Sequence, residues 1–182
     1  MAFPRSSGIL AHPTSFPGPH GIGDLGDGAY RFLDWMAAAG QHLWQIMPLV
    51  PTAEGDSPYS SVSAFAGNPL LVSLEQLARE GLLDWSQLET EFGFPDDHVD
   101  FGNVRNFKEQ RLRWAHERFR AVQPSALVEE FRLFREREAG WLPDFARYMA
   151  IKSAHDGKSW VEWEPALRDR DPDALAAADR DL

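Results

Sequence analysis

The chain's 28 acidic and 18 basic residues give a formal net charge of −10 over 182 residues, which argues against nucleic acid and against an anionic membrane surface as partners and favours a neutral or cationic ligand. With 43% hydrophobic and 25% charged residues it has the composition of a globular protein, long enough to bury a core. It has no cysteine, so a disulfide framework and a thiol nucleophile are excluded, and MAFPRSSGIL lacks the basic segment and apolar run of a signal peptide; both fit a cytoplasmic chain.

No stretch approaches the ~20 apolar residues of a membrane-spanning helix. Residues 8–11, GILA, read as a strand end that runs into HPTSFPGPHGIGDLG, where proline and glycine exclude helix and long strand. Ala29, Phe32, Leu33, Met36 and Ala37 recur at helical spacing, predicting an amphipathic helix over 27–39 with Gly40 as its terminator. HLWQIMPL, residues 42–49, is apolar and too short for a second helix, so it reads as a strand buried on both faces. Strand, helix and strand make a βαβ unit with parallel strands, and ligands bind beyond the carboxyl ends of such strands.

That position is taken by GDSPYSSVSAFAGNP, residues 55–69, with two glycines, two prolines, four serines and one tyrosine. Scaffold-held loops of this kind carry function. Asp56, Ser57 and Tyr59 offer three hydrogen-bonding side chains and one aromatic face; the plainer reading is an ordered turn in which Asp56 and Ser57 bond their own backbone. Beyond Asn68-Pro69, Ser73 with Gln76 three residues on predicts a capping box and a short helix to Arg79.

From residue 103 the pattern is helical. Val104, Phe107, Trp114, Ala115, Phe119 and Val122 form one stripe, Pro124-Ser125 breaks it, Leu127, Phe131 and Phe134 begin a second, and Trp141, Leu142, Phe145, Tyr148 and Met149 a third. Asp171-Pro172 reads as cap and first residue of a last helix that reaches Leu182 without a terminator, and a single parallel strand pair does not make a sheet alone; both predict an incomplete chain.

Other chemistry is thinner. His12, His20, His42, His98, His116 and His155 lack metal-ligand spacing, so no metal site is expected. GIGDLG matches a dinucleotide fingerprint superficially, but no strand directly precedes it. No GxSxG elbow occurs, and most carboxylates lie in helix-face charge runs. Trp160 and Trp163 read as the cover of a helix junction or as a sugar-stacking platform, with the cover favoured.

Taken together, RSSGILAHPTSFPGPHGIGDLG, GQHLWQIMPLVPT and GDSPYSSVSAFAGNPLLVSLEQLAREGLL, followed by VDFGNV and FREREAGWLPDFARYMAIKSAHDGKSWVEWEPALRDRD, resemble the 4-α-glucanotransferases, or amylomaltases, across essentially the whole chain. The resemblance implies an α/β fold, the N-terminal part of a (β/α)8 TIM barrel: its first two strands and helix in residues 1–74, and an inserted, predominantly α-helical subdomain in 75–182. It implies retaining transfer of α-1,4-glucan segments between maltooligosaccharides, with an Asp nucleophile and a Glu acid/base and no metal or organic cofactor. In the family those carboxylates arrive on later strands, so no catalytic residue is assigned here and the chain alone is expected to be inactive. Tyr59 and Ser57 are implied substrate-binding residues, and Asp56, Asn68 and Trp44 shape their loop. Where some members carry aromatic residues of a secondary glucan groove, this chain has Glu54 and Phe101. The rival from another class is a non-catalytic glucan-binding or interaction module.

Overall fold

The computed structural model describes residues 4–90 and 93–182, except the side chain of Glu54. They divide into two compact units, one ending at Pro124 and the other comprising Ser125–Leu182.

In the first unit, β1 (Gly8–Leu10) pairs in parallel with β2 (Leu43–Gln45), with Ile9 opposite Trp44, and α1 (Asp27–Ala38) lies between them in sequence as the predicted crossover. α1 ends because Gly40 takes a φ of +67°. Its N–H then reaches Ala37 O at 3.1 Å while Gln41 N–H reaches Met36 O at 2.9 Å, the paired bonds of a Schellman turn. Ala29 and Met36 are the buried positions of the α1 stripe.

The second strand differs from its expected extent and environment. It covers three residues rather than 42–49, because β1 offers backbone partners only until His12-Pro13 turns the chain away. It is not buried on both faces: Leu43 is 52% exposed, as is Leu10 at 62%. The reason is topological: among the described residues the sheet has two strands, Phe32 of α1 packs on Trp44, and the opposite face, which carries Leu10 and Leu43, stays open.

α2 (Leu74–Arg79) starts at Ser73, whose Oγ accepts the Gln76 N–H at 3.3 Å. The Gln76 side chain does not accept the Ser73 N–H as the expected capping box requires; it is turned toward Glu80, to which its Nε2 donates at 2.9 Å. α3 (Phe101–Val122) begins two residues before the expected start at residue 103, because Asp100 caps it by accepting the Asn103 N–H at 3.1 Å. Val104, Phe107 and Ala115 are buried as the stripe predicts, and Val104 joins Ile22 and Leu70 in a core closed over by Phe94, Val99 and Phe101. Gly23 is where this core needs a residue without Cβ, since one would lie 2.1 Å from Pro13 O. GIGDLG is thus a close-packing loop.

The second unit contains α4 (Ser125–Arg137), α5 (Leu142–Ala154), α6 (Pro165–Arg168) and α7 (Pro172–Asp181). α7 opens as expected, with Asp171 accepting from the Asp173 and Ala174 N–H groups at 3.0 Å each. The buried apolar residues of this unit are Ile151 of α5 and Trp163, whereas α4 buries none of its stripe.

Candidate functional site

The carboxyl ends of β1 and β2 are tied together by the side chains that follow them. Trp44 donates its indole N–H to Ala11 O at 2.8 Å and packs against Phe32 and Phe16, with ring centroids at 5.2 and 5.8 Å. His12, two residues beyond β1, places Nδ1 2.7 Å from Thr14 Oγ1 and Nε2 3.4 Å from Pro48 O beyond β2. Burial lowers the His12 pKa, and its bond to the Pro48 carbonyl only partly opposes this, so the ring is held neutral. The strand ends are therefore a stiff base for what comes next.

What comes next is a loop closed on itself. Thr52 and Ser61 form an antiparallel bridge, Ala53 N–H donates to Ser60 O at 2.8 Å, and Ser61 Oγ donates to Pro51 O at 2.6 Å. Ser63 Oγ accepts the Phe65 and Ala66 N–H groups, both at 3.1 Å. The hydroxyls of Ser61 and Ser63 are thus engaged by the loop's own backbone. Ser57 belongs to this pattern, because its Oγ accepts the Tyr59 N–H at 3.3 Å. Its hydroxyl proton and a further lone pair remain for a ligand.

Tyr59 stands apart at 76% exposure, presenting ring face and phenol outward from the turn. Gly55 and Asp56, with φ of +77° and +52°, reverse the chain just before it. Asn68 closes the far end of the segment. It is buried, its N–H donates to Leu49 O at 2.9 Å, and its Oδ1 accepts the Leu70 N–H at 3.0 Å. The structure therefore brings Asp56, Ser57 and Tyr59 together on one turn and seats Asn68 at the end of the segment, whereas the contacts of Trp44 are with Ala11, Phe16 and Phe32.

Two cations missed in sequence reach this region from α3. Arg105 Nη2 donates to Asp56 Oδ1, which also accepts from Thr52 Oγ1 at 3.4 Å. Lys108 is fully buried and donates to Leu70 O at 2.7 Å, Val72 O at 2.9 Å and Asp24 Oδ2 at 3.1 Å. Burial pushes the Lys108 pKa down, and Asp24 opposes it. Lys108 falls four residues after Val104 and one after Phe107, on the buried stripe, and that spacing was a usable signal. Nothing in the sequence links Arg105 to Asp56, 49 residues away.

Phe101 packs partly against the core. The side chain of Glu54 lies outside the described residues. Trp163 is buried against Tyr148 and His155, with centroids 5.5 Å away in each case, which is the cover role. Trp160 is half exposed at a cleft of about 330 Å³ lined also by Tyr148, Ile151 and Leu175. Among the described residues, no three His, Asp or Glu side chains group as metal ligands. An aromatic face beside hydroxyl donors and acceptors on a rigid turn is suited to a neutral polyol rather than to an ion.

Comparison with known proteins points the same way. Residues 11–182 match the family described as 4-alpha-glucanotransferase, glycoside hydrolase 77. The 4-alpha-glucanotransferases of Synechocystis sp. and of Thermus thermophilus are each 47% identical, over 171 and 178 residues, covering 94% and 98% of this chain and 34% and 35% of their own lengths. An amylomaltase from Streptococcus agalactiae, solved in complex with acarbose, matches at a TM-score of 0.91 and 36% identity over 98% of this chain and 36% of its own. The chain spans about a third of the length of the curated relatives it matches. On this match, covering nearly all of its residues, the chain belongs to the 4-alpha-glucanotransferase family.

Proposed function

We propose that this chain supplies the donor-side wall of a 4-α-glucanotransferase, in which the turn at 55–59 binds an α-1,4-glucan. The observation that carries the reading is Tyr59, held 76% exposed on a hydrogen-bonded loop beyond the carboxyl end of β2 in a chain of this family. Tyr59 stacks on a sugar ring and Ser57 hydrogen-bonds its hydroxyls, while Asp56, Asn68 and Trp44 hold the loop. A preformed wall of this kind keeps the ring near attack geometry, as a retaining double displacement requires.

On the same reading, β1, α1 and β2 are the opening of a (β/α)8 barrel, residues 75–182 are its helical insert, and the setting is cytoplasmic. The nucleophile and the acid/base come from the part of the family fold that the chain does not match. Maltotriose incubation tests this. The chain joined to the remaining two-thirds of the Thermus thermophilus relative should yield glucose and a ladder of longer maltodextrins, and the 182-residue chain alone should yield none. A ladder from the chain alone would place the carboxylates within residues 1–182 and overturn the reading; none from the joined protein would leave a glucan-binding module instead.

A further inference from the structure

The turn that presents Tyr59 is anchored at both base and tip. At the base, the Thr52–Ser61 bridge and the Ala53–Ser60 bond close the loop. At the tip, Asp56 sits in the left-handed region, a conformation that a non-glycine residue keeps when its surroundings impose it. What engages it from outside the loop is Arg105, on the second turn of α3.

Arg105 is a firm post. It is flanked on α3 by Val104 and Lys108, both with no exposed surface, so the helix cannot shift here without opening the core. The ion pair is itself about two-thirds buried, with side-chain exposures of 36% and 29%, so water competes with it less than at an open surface. Between Asp56 and Tyr59 the chain has little slack. Pro58 fixes its own φ, Ser57 Oγ accepts the Tyr59 N–H, and Ser57 O accepts the Ser60 N–H at 3.0 Å. A displacement of Asp56 is therefore passed to Tyr59.

We propose that Arg105 is a positioning residue for glucan binding, acting through Asp56 to fix the Gly55–Ser57 turn and so the presentation of Ser57 and Tyr59. This rests on the glucan-binding reading of Tyr59. It is tested on the 182-residue chain by titration with maltoheptaose, followed through the Tyr59 ring signals, together with amide hydrogen exchange of residues 55–60.

Arg105→Ala should weaken maltoheptaose binding about tenfold, the scale of one charge-assisted hydrogen bond, and speed exchange of the Asp56, Tyr59 and Ser60 amides, with the thermal midpoint of the core unchanged. Arg105→Lys, which keeps the charge but loses the planar fork, should recover part of the affinity. Arg105→Ala combined with Asp56→Asn should be no worse than either alone. Unchanged affinity and exchange in Arg105→Ala, or additive losses in the double variant, would overturn the proposal. If Tyr59→Ala binds maltoheptaose as well as the unaltered chain, the glucan-binding reading falls. Exchange in Arg105→Ala then decides separately whether Arg105 positions the turn: faster supports it, unchanged refutes it.

Discussion

Replacing Lys108 with methionine keeps a long flexible stem and removes one charge from the interior. The ammonium has no exposed surface, and its partner Asp24 has a side-chain exposure of 13%. Lys108→Met leaves that carboxylate with the Gly26 N–H, at 2.9 Å, as its remaining bond, and strips the Leu70 and Val72 carbonyls of their ammonium donor. Removing one member of a buried pair costs about 3–5 kcal/mol, a figure that contains the desolvated acceptors left behind. With a urea dependence of about 2 kcal/mol per M for a protein of this size, the unfolding midpoint should fall by about 1.5–2.5 M. Tryptophan fluorescence in urea measures it. Adding Asp24→Asn should restore part of the loss, because no uncompensated carboxylate then stays buried. A midpoint shift below about 0.5 M for Lys108→Met would refute the claim that this ammonium holds α3 to the 70–72 segment.

Three further outcomes follow from named contacts. Burial pushes the His20 pKa below its ordinary value of 6.5, and Glu75, 3.8 Å away, only partly offsets this. The unfolded imidazole therefore takes up its proton at higher pH than the folded one, so the stability it contributes is complete above pH 6.5 and is lost as the pH falls toward the folded value. His20→Gln should flatten urea midpoints measured across that interval, and an unaltered slope would count against it. Gly23→Ala drives a methyl into Pro13 O and should destabilise by about 1–3 kcal/mol in thermal unfolding; a neutral result would mean the loop relaxes freely. Tyr59→Ala, at an exposed site, should change stability by less than about 0.5 kcal/mol in urea unfolding while abolishing the ring's contact with maltooligosaccharide.

Local signals carried well into the structure where one segment decides its own conformation. Gly40 ended α1, Ser73 opened α2 and Asp171 capped α7 because each rule involves neighbours within a few residues. The apolar stripe of α3 likewise marked Val104, Phe107 and Ala115. Where the outcome depended on distant chain, the sequence was mute or misleading. HLWQIMPL is apolar enough for a strand covered on both faces, yet what covers a sheet is set by other strands, and here Leu43 and Leu10 are exposed. The 55–69 stretch announced a loop, and its plainer reading anticipated that Ser57 would bond the local backbone, but not that Ser61 and Ser63 would do the same, nor that Tyr59 would stand 76% exposed. Arg105 carried no signal of its own in the sequence, and only folding shows that it meets Asp56.

The central claim is that Tyr59 touches an α-glucan, and intermolecular NOEs between maltotriose and the chain address it most directly. The account predicts cross-peaks from pyranose ring protons to the Tyr59 ring, with those protons shifted upfield by the aromatic face and the effect lost in Tyr59→Ala. Cross-peaks to Trp160 in place of Tyr59, or binding that survives Tyr59→Ala unchanged, would contradict it.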